Sequence, residues 1–252
     1  SGGVVDLPVA REATTSYPVL MGSGLKGALR DAFQQRQGEK NAEDIFGKPD
    51  SAGSLSISDG RLLLLPVRSL TRNYLWVTCP YMLERFERDL DRAGYKFNIP
   101  KFNPAAEQAI SSSGENLYLE ELSFAGVSQP EDVRALAEAI KPLICHQSVQ
   151  NRLEDQIAII SDNEFVHFAK YGLPVNARNV LDQEKKTSNN LWYEETIPAD
   201  SVFYTIMISR AGKEEQLLTL QQFLTELSYI QLGGNETVGQ GWCAVTCWKG
   251  GQ

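Results

Sequence analysis

The chain has 252 residues, of which 42% are hydrophobic and 22% are charged, and its formal net charge at pH 7 is -8. This composition is typical of a globular protein with a full core, and no stretch reaches the roughly 18 apolar residues that a membrane helix needs. The negative charge argues against a nucleic-acid partner, because phosphate binding needs Lys and Arg, but residues 1–90 contain 11 Lys+Arg and 11 Asp+Glu and are neutral.

The first half of the chain contains three predicted helices and one long strand. Apolar residues at helical spacing predict a helix over 24–36, with Ser23 as its N-cap. The stretch 54–69 alternates and then becomes apolar, which predicts a strand that passes from a half-exposed to a buried position. Pro80 predicts the first turn of a second helix, and a third helix is predicted to begin near Ser128.

The second half is predicted to contain an insertion and a protruding hairpin. Pro, Ser and Gly in residues 94–128 predict an irregular insertion, extending to about residue 160, rather than a core element. Short apolar pairs around a polar run predict a hairpin within 163–197 with a mobile tip at 183–190. A strand, a helix and a closing strand follow at 202–209, 216–229 and 242–248. Because helices alternate with strands, we expect a single α+β domain over 1–252 with a ferredoxin-like core.

Two glycine-rich segments, 21–27 and 233–241, are candidate ligand loops. Glycine lets the backbone approach a ligand closely, and the first segment leads into a helix N-terminus, where the dipole favours phosphate. Lys26 and Arg30 lie four residues apart on that helix and favour phosphate binding over the alternative of a tight turn. Neither segment has the spacing and context of a Walker loop or a Rossmann fingerprint.

Basic and aromatic residues surround the predicted long strand. Arg61, Arg68 and Arg72 are followed by Tyr74 and Trp76. This mixture suits single-stranded nucleic acid, because bases stack on aromatic rings while cations hold the backbone. Composition alone favours the alternative, which is a strand with solvated ends.

Asp6 stands in an otherwise apolar stretch directly after two glycines. A lone carboxylate there is often a turn residue, and its functional interpretation is a ligand for a divalent cation or a base near a phosphodiester. Trp192, Tyr193, Glu194 and Glu195 follow one another on the predicted hairpin. They are interpreted either as a stacking and acidic group or as a packed turn with solvated glutamates.

Cysteine and histidine usage limits the available chemistry. The four cysteines lack zinc-ligand spacing, which predicts reduced core thiols in a cytoplasmic protein. His146 and His167 are too few for most histidine-based catalysis and are interpreted as core or surface residues. The chain begins at Ser1 without a methionine or a signal-peptide pattern, so we expect further residues before it.

Six segments together resemble the backbone subunit of the type III-B CRISPR effector, the Cmr complex, which is one of the RAMP proteins. They follow the family's order along the chain, and the first, third and last together are quite specific. The segments are GVVDLPVARE at 3–12, GSGLKGALR at 22–30, AGSLSISDGRLLLLPVRS at 52–69, WVTCP at 76–80, LWYEE at 191–195 and GGNETVGQGWC at 233–243.

The resemblance implies a ferredoxin-like (RRM-like) palm with an inserted helical segment and a thumb β-hairpin. It implies a helical filament of copies along CRISPR RNA, with other Cmr subunits as partners and no membrane contact. It further implies that Asp6 cleaves the complementary target RNA with a divalent metal, Mg or Mn. Guide contacts would lie at Ser23, Lys26, Arg30, Arg68 and the terminal loop residues Gly233, Gly234, Asn235 and Thr237.

In this family interpretation Trp192 and Tyr193 belong to the thumb, which splays a base from the guide–target duplex, and Glu194 is a second acidic contributor. A metal-binding role for Asp6 is favoured, because a carboxylate on a loop is a poor base at neutral pH. Two alternatives stay open. One is a guide-binding scaffold without nuclease activity, and the other is a guide-processing ribonuclease that uses both histidines. The sequence departs from the family pattern before the aspartate, where the family has a first strand and a basic or histidine-bearing segment.

Overall fold

The computed structural model describes residues 5–181 and 188–248. The helices are α1 (Gly22–Gln37), α2 (Glu39–Phe46), α3 (Pro80–Arg92), α4 (Pro130–Ile140), α5 (Gln147–Gln150), α6 (Leu153–Gln156), α7 (Asp162–Tyr171) and α8 (Glu214–Glu226). Of these described helices, none has the length and apolar character needed to cross a membrane.

Four strands, β5, β9, β11 and β12, have seven to nine residues, and the others have two to five. They are β1 (Val19–Leu20), β2 (Gly47–Lys48), β3 (Ser51–Ala52), β4 (Leu55–Ile57), β5 (Gly60–Arg68), β6 (Tyr74–Thr78), β7 (Gln108–Ser111), β8 (Leu117–Leu119), β9 (Leu122–Ser128), β10 (Ile157–Ile159), β11 (Val175–Leu181), β12 (Ser188–Glu195), β13 (Val202–Tyr204), β14 (Met207–Ser209), β15 (Tyr229–Gln231) and β16 (Trp242–Ala244).

The main sheet is mixed and has the order β1-β5-β6-β10-β7-β9-β8, with β13 also paired to β5. Neighbouring strands β5 and β6 are antiparallel, whereas β10 runs parallel to β6. Helices α3 and α4 both lie between β6 and β10 along the chain, although these two strands are neighbours in the sheet. The α+β class predicted from the sequence is therefore confirmed.

The centre of the sheet is buried on both faces. Residues 62–65 on β5 are each at most 1% exposed. Leu62 and Leu65 pack in a cluster with Phe165 of α7, and Leu63 and Leu64 pack in another with Phe86 of α3. Because both faces of β5 meet apolar side chains, its sequence is a continuous apolar run rather than an alternating one.

A third apolar cluster lies among the helices outside the main sheet. Phe33 of α1, Phe46 of α2 and Phe223 of α8 meet edge to face, with ring centroids 4.9 and 5.9 Å from Phe33. Each of these helices presents one apolar face to the cluster, so its opposite face is free to carry polar residues. This cluster therefore fixes the position of α1 and of its basic side chains.

Several predicted boundaries are wrong. Helix α7 (Asp162–Tyr171) occupies the start of the segment predicted as hairpin, and the observed hairpin is β11–β12. Most of the tip predicted at 183–190 lies outside the described residues. The predicted strand 54–69 is divided into β4 and β5 at Ser58 and Asp59, and 202–209 is divided into β13 and β14. The predicted helix 216–229 ends at Glu226, because Leu227 is already extended.

The stretch predicted to be an irregular insertion is partly regular. Strands β7, β8 and β9 lie within 94–128 and join the main sheet, and β10, at the end of the proposed insertion, is central in that sheet. These strands are three to seven residues long and contain Ser, Gly and Gln, so their periodicity is weak in the sequence. The idea that 94–160 is inserted relative to other family members stays a prediction.

Candidate functional site

Asp6 is held by hydrogen bonds against β12 of the β11–β12 hairpin, which is called the thumb below. The Asp6 and Leu7 amides donate to the Tyr193 carbonyl oxygen at 3.0 and 3.1 Å. The Tyr193 amide in turn donates to Asp6 Oδ2 at 2.8 Å. Within the described part of the chain Asp6 Oδ1 accepts no hydrogen bond, and Asp6 is exposed. The structure therefore fixes one oxygen of this carboxylate and leaves the other directed to whatever solute reaches the surface.

Glu194 links the thumb to the terminal glycine-rich loop. Its Oε2 accepts a hydrogen bond from Arg178 Nε at 3.0 Å, and its Oε1 accepts one from Asn235 Nδ2. Asn235 Nδ2 also donates to Gln240 Oε1 at 2.8 Å. Both carboxylate oxygens of Glu194 thus have protein partners and only 15% of its side chain is exposed, which makes it a less available acidic group than Asp6.

The remaining thumb residues differ in exposure. Tyr193 is 39% exposed, whereas Trp192 is half-buried and lies opposite Arg178 in the hairpin register. Successive side chains of a strand point to opposite faces, so Tyr193 and Trp192 cannot offer one continuous stacking surface. Tyr193 shares its face with the exposed Leu191.

A basic cleft of about 500 Å³ lies between α1 and the β2–β4 region. Four of its eleven lining residues are basic and none is acidic: Lys26, Arg30, Lys48 and Arg210. Lys48 lies 4.0 Å from Glu43, while the other three have no carboxylate within 4.0 Å among residues 5–181 and 188–248. Lys48 and Arg210 were not identified from the sequence, because they lie 22 and 184 positions from Lys26 and no local pattern joins them.

The start of α1 differs from the predicted phosphate site. Ser23 lies inside the helix rather than at its N-cap, which is Met21 and makes no side-chain hydrogen bond. The Gly22 amide donates to Asp59 Oδ1 at 2.7 Å. A carboxylate of this chain therefore occupies part of the place expected for a phosphate, and the positive surface is formed by Lys26 and Arg30 further along the helix.

Two glycines on the exposed side of α1 have no packing role. A Cβ atom added at Gly24 or Gly27 would meet no atom within 4 Å. Glycine in a helix interior costs about 0.5–1 kcal/mol relative to alanine. Gly24, Gly27 and Arg30 follow one another at three-residue spacing and therefore lie along one side of α1, so the helix is smooth next to a basic side chain, which suits a ligand backbone that approaches closely.

The other predicted basic positions are separate from this cleft. Arg68 ends β5 and pairs with Glu120 at 2.9 Å, whereas α1 begins beside the other end of β5, where the Gly22 amide donates to Asp59. Eight residues at ~3.3 Å each place those ends roughly 26 Å apart. The structure does not bring Arg68 together with Lys26 and Arg30.

The aromatic residues beyond β5 are structural. Trp76 is 0% exposed and its Nε1 donates to the Asp200 carbonyl oxygen at 2.9 Å. Arg61 is paired with the buried Asp89, which also accepts a hydrogen bond from the Tyr204 hydroxyl. Trp76 and Arg61 are therefore engaged by groups of the protein itself, whereas Tyr74 is half-buried and Arg68 and Arg72 are exposed, so binding of single-stranded nucleic acid by this group stays a prediction.

The terminal loop is open to solvent. Gly233, Gly234 and Thr237 are exposed, and a Cβ atom at either glycine would meet no atom within 4 Å. Gly233 has a φ of 100°, which favours glycine. Asn235 differs from its neighbours because its side chain points back to Glu194 and Gln240.

Histidine and cysteine chemistry is not assembled at this site. His146 Nε2 lies 2.9 Å from the Tyr229 hydroxyl, and His167 Nε2 lies 3.1 Å from Glu121 Oε1, so the two rings belong to different surfaces. Burial raises the pKa of the Cys79 thiol to about 12, which keeps it protonated at neutral pH. Across the described ranges no three His, Cys, Asp or Glu side chains cluster as metal ligands.

Comparisons with known proteins agree with this architecture. The model of the RAMP superfamily matches residues 1–244. The CRISPR system Cmr endoribonuclease Cmr4 of Pyrococcus furiosus is 35% identical over 97% of this chain and 88% of the relative, and the CMR subunit Cmr4 of Saccharolobus solfataricus is 24% identical over 94% and 87%. The crystal structure of oligomeric Cmr4 from Pyrococcus furiosus superposes with a TM-score of 0.80 at 30% identity, covering 96% of this chain and 91% of that one. The chain therefore belongs to the RAMP superfamily, in the branch that contains the Cmr4 subunits of CRISPR systems.

Proposed function

We propose that this chain is a backbone subunit of a type III-B CRISPR ribonucleoprotein, binding guide RNA as a filament of copies and cleaving complementary target RNA at Asp6. The observation that carries the proposal is the Asp6 carboxylate, which is fixed to the thumb strand through Oδ2 while Oδ1 stays available. The Pyrococcus relative is named as an endoribonuclease and its crystal structure is oligomeric, which supports both halves of the proposal.

The cleavage chemistry makes few demands on the protein. RNA carries its own nucleophile, the 2′-hydroxyl, so the reaction needs that oxygen held in line with the phosphate and the developing charge neutralised. The Asp6 amide is hydrogen-bonded to Tyr193 on the thumb, and the Tyr193 side chain is exposed. A base displaced by the thumb would free the RNA backbone to adopt the in-line geometry next to Asp6.

A divalent cation, Mg or Mn, is part of the proposal. Asp6 offers one available carboxylate oxygen, and both oxygens of Glu194 are engaged by Arg178 and Asn235. This set fits a cation held mainly by RNA phosphate oxygens and water, as Mg²⁺ commonly is, and it does not fit a cage formed by the protein alone. Such a cation would supply charge neutralisation at the phosphate.

The basic cleft is the proposed guide-RNA surface. Lys26, Arg30, Lys48 and Arg210 can each meet a phosphate. Gly24 and Gly27 lie outside the cleft on the exposed side of α1, where they would let the RNA backbone approach the helix beside Arg30. The acidic residues that give the chain its net charge are absent from this lining. Arg68, the terminal-loop residues Gly233, Gly234 and Thr237, and a cytoplasmic location stay predictions of the same proposal.

Replacing Gly27 with Ala should have opposite effects on the free chain and on RNA binding. We expect the free chain to be stabilised by about 0.5–1 kcal/mol, because the new methyl group meets no atom and glycine is a poor helix former. Guide-RNA affinity should fall, since the methyl group stands where the RNA backbone approaches. Thermal unfolding and filter binding measure the two effects. Thr219→Ala on the exposed side of α8 is the control, and equal guide affinity of both variants would contradict the proposed surface.

The proposed activity is tested with the ribonucleoprotein assembled on a guide of known sequence. Labelled RNA complementary to the guide should be cut inside the duplex region, and a non-complementary RNA of the same length should stay intact. Chelation of divalent cations should stop the cutting. Tight binding of the complementary RNA without any cutting would favour the alternative of a guide-binding scaffold.

A further inference from the structure

We propose that Glu195 and Arg11 form a clamp that positions Asp6 against the thumb, so that both are positioning residues for cleavage. This inference rests on the proposed function of Asp6. Glu195 is the last residue of β12, and Arg11 lies five positions after Asp6. The sequence pattern favours a solvated or acidic group of the hairpin at Glu195, whereas the structure buries its side chain between two segments of the chain.

Glu195 binds the segment that follows Asp6 through both of its carboxylate oxygens. Oε1 lies 2.7 Å from Arg11 Nη2, and Oε2 accepts a hydrogen bond from the Val9 amide at 3.0 Å. The Glu195 amide also donates to the Leu7 carbonyl oxygen at 3.0 Å. Only 7% of the Glu195 side chain is exposed. A carboxylate with this burial and these partners is a fixed structural link rather than a solvated charge.

Arg11 connects Glu195 to helix α7. Its Nη1 donates to the carbonyl oxygens of Ser16, at 2.9 Å, and of Ala169 in α7. One guanidinium therefore joins the Asp6 segment, the base of the thumb and α7. Its side chain is 20% exposed. Arginine suits this position because its planar group presents several donors in fixed directions.

The consequence for Asp6 follows from the order of contacts along the chain. Asp6 and Leu7 are bonded to Tyr193, Leu7 and Val9 are bonded to Glu195, and Arg11 closes the set. Loss of the two clamp side chains would leave the Asp6 segment attached to the thumb by the Tyr193 bonds and the main-chain bond from the Glu195 amide to Leu7. A displacement of about 1 Å of a catalytic group can lower a rate by roughly 10²-fold.

The chain supplies a matched control in the next residue. Glu12 pairs with Arg85 of α3, whose Nη1 donates to both carboxylate oxygens at 2.7 and 2.8 Å. The side chains of Glu12 and Arg85 are 19% and 7% exposed, so the pair is as buried as Arg11–Glu195, although here the arginine is its more buried member. Among the described residues this second pair forms no hydrogen bond or ion pair with β12. Breaking it should affect folding as much as breaking the clamp does, but it should not move Asp6 relative to Tyr193.

The test uses the assembled ribonucleoprotein with Glu195→Gln, Glu195→Ala, Arg11→Ala and the double variant Glu195→Ala/Arg11→Ala. Glu12→Gln is the control. We expect kcat for target cleavage to fall about 10-fold in Glu195→Gln and about 100-fold in Glu195→Ala, with KM for target RNA within about 2-fold. The double variant should be no slower than the slower single variant, because both changes remove one clamp. Glu12→Gln should keep kcat within about 2-fold while lowering the unfolding temperature as Glu195→Gln does.

Assays are run well below the lowest unfolding temperature, with guide binding measured for every variant. Equal kcat values for Glu195→Gln, Arg11→Ala and Glu12→Gln would overturn the clamp. If Glu195→Ala does not fold, the milder Glu195→Gln still decides, because it keeps an acceptor for the Val9 amide. Asp6→Asn is run in parallel. If Asp6→Asn cuts target RNA at the wild-type rate, the proposed catalytic function itself is wrong. If Asp6→Asn is inactive while the clamp variants are fully active, only the positioning inference is wrong.

Discussion

Asp6→Asn should reduce target-RNA cleavage by about 10²–10³-fold while guide and target binding stay unchanged. Asparagine has nearly the same shape, and its amide oxygen can still accept the Tyr193 hydrogen bond that Asp6 Oδ2 accepts at 2.8 Å. The substitution therefore removes the charge and keeps the loop in place. Loss of one preorganised electrostatic group in an active site commonly costs a factor of this size.

The matched control is Asp59→Asn, which makes the same chemical change on another exposed loop aspartate. Asp59 also accepts a main-chain hydrogen bond, from the Gly22 amide at 2.7 Å, but it lies at the start of α1. Its variant should cut target RNA within about 2-fold of the wild-type rate. Single-turnover cleavage of labelled target gives both rates. Cutting by Asp6→Asn at the rate of Asp59→Asn would support the scaffold alternative.

Lys26→Ala combined with Arg30→Ala should weaken guide-RNA binding strongly and reduce its dependence on salt. Each phosphate contact to single-stranded RNA contributes about 0.7 to the slope of log K against log salt, so the slope should fall by about 1.4. Affinity at low salt should drop by about 10–100-fold. Both side chains line the cleft, and in the described ranges neither has an acidic partner that could replace a phosphate.

The control for this pair is Arg134→Ala with Lys141→Ala. It removes the same two charges from another surface, where Arg134 is paired with Glu154 and Lys141 with Glu138. If binding depended only on net charge, both double variants would lose the same affinity. Titration of a labelled guide at several salt concentrations measures the affinity and the slope. The same slope in wild type and Lys26/Arg30 variant would show that the cleft does not carry the guide.

The sequence predicted amphipathic helices better than short strands. Helices α1, α3 and α4 were found within a few residues, because a 3.6-residue apolar period extends over at least eleven residues in each. Strand β10 has three residues and is central in the sheet. A three-residue strand has too little period to detect, and its place depends on which neighbours it pairs with.

For the site, too, the sequence indicated which residue types matter, but not which side chains they contact. Asp6 and Lys26 were selected from the sequence, whereas Lys48, Arg210 and the buried state of Glu195 were not. Guide binding by Asn235 rests on the family resemblance and stays a prediction, and the structure adds that its side chain donates to Glu194. A local pattern can show that a side chain is polar and near a glycine, but it does not show which distant group will satisfy it.

Length, composition and charge by themselves determined that the chain has a full core and that its first 90 residues are neutral. The periodic apolar positions determined the main helices, and the glycines beside Lys26 indicated a surface that a ligand backbone can approach. Only the tertiary structure decided that Asp6 meets Tyr193 across 187 positions and that Asp59 occupies the start of α1. The physical reason is that burial and hydrogen bonding join segments that are distant in sequence, and these contacts are set by the packing of whole elements.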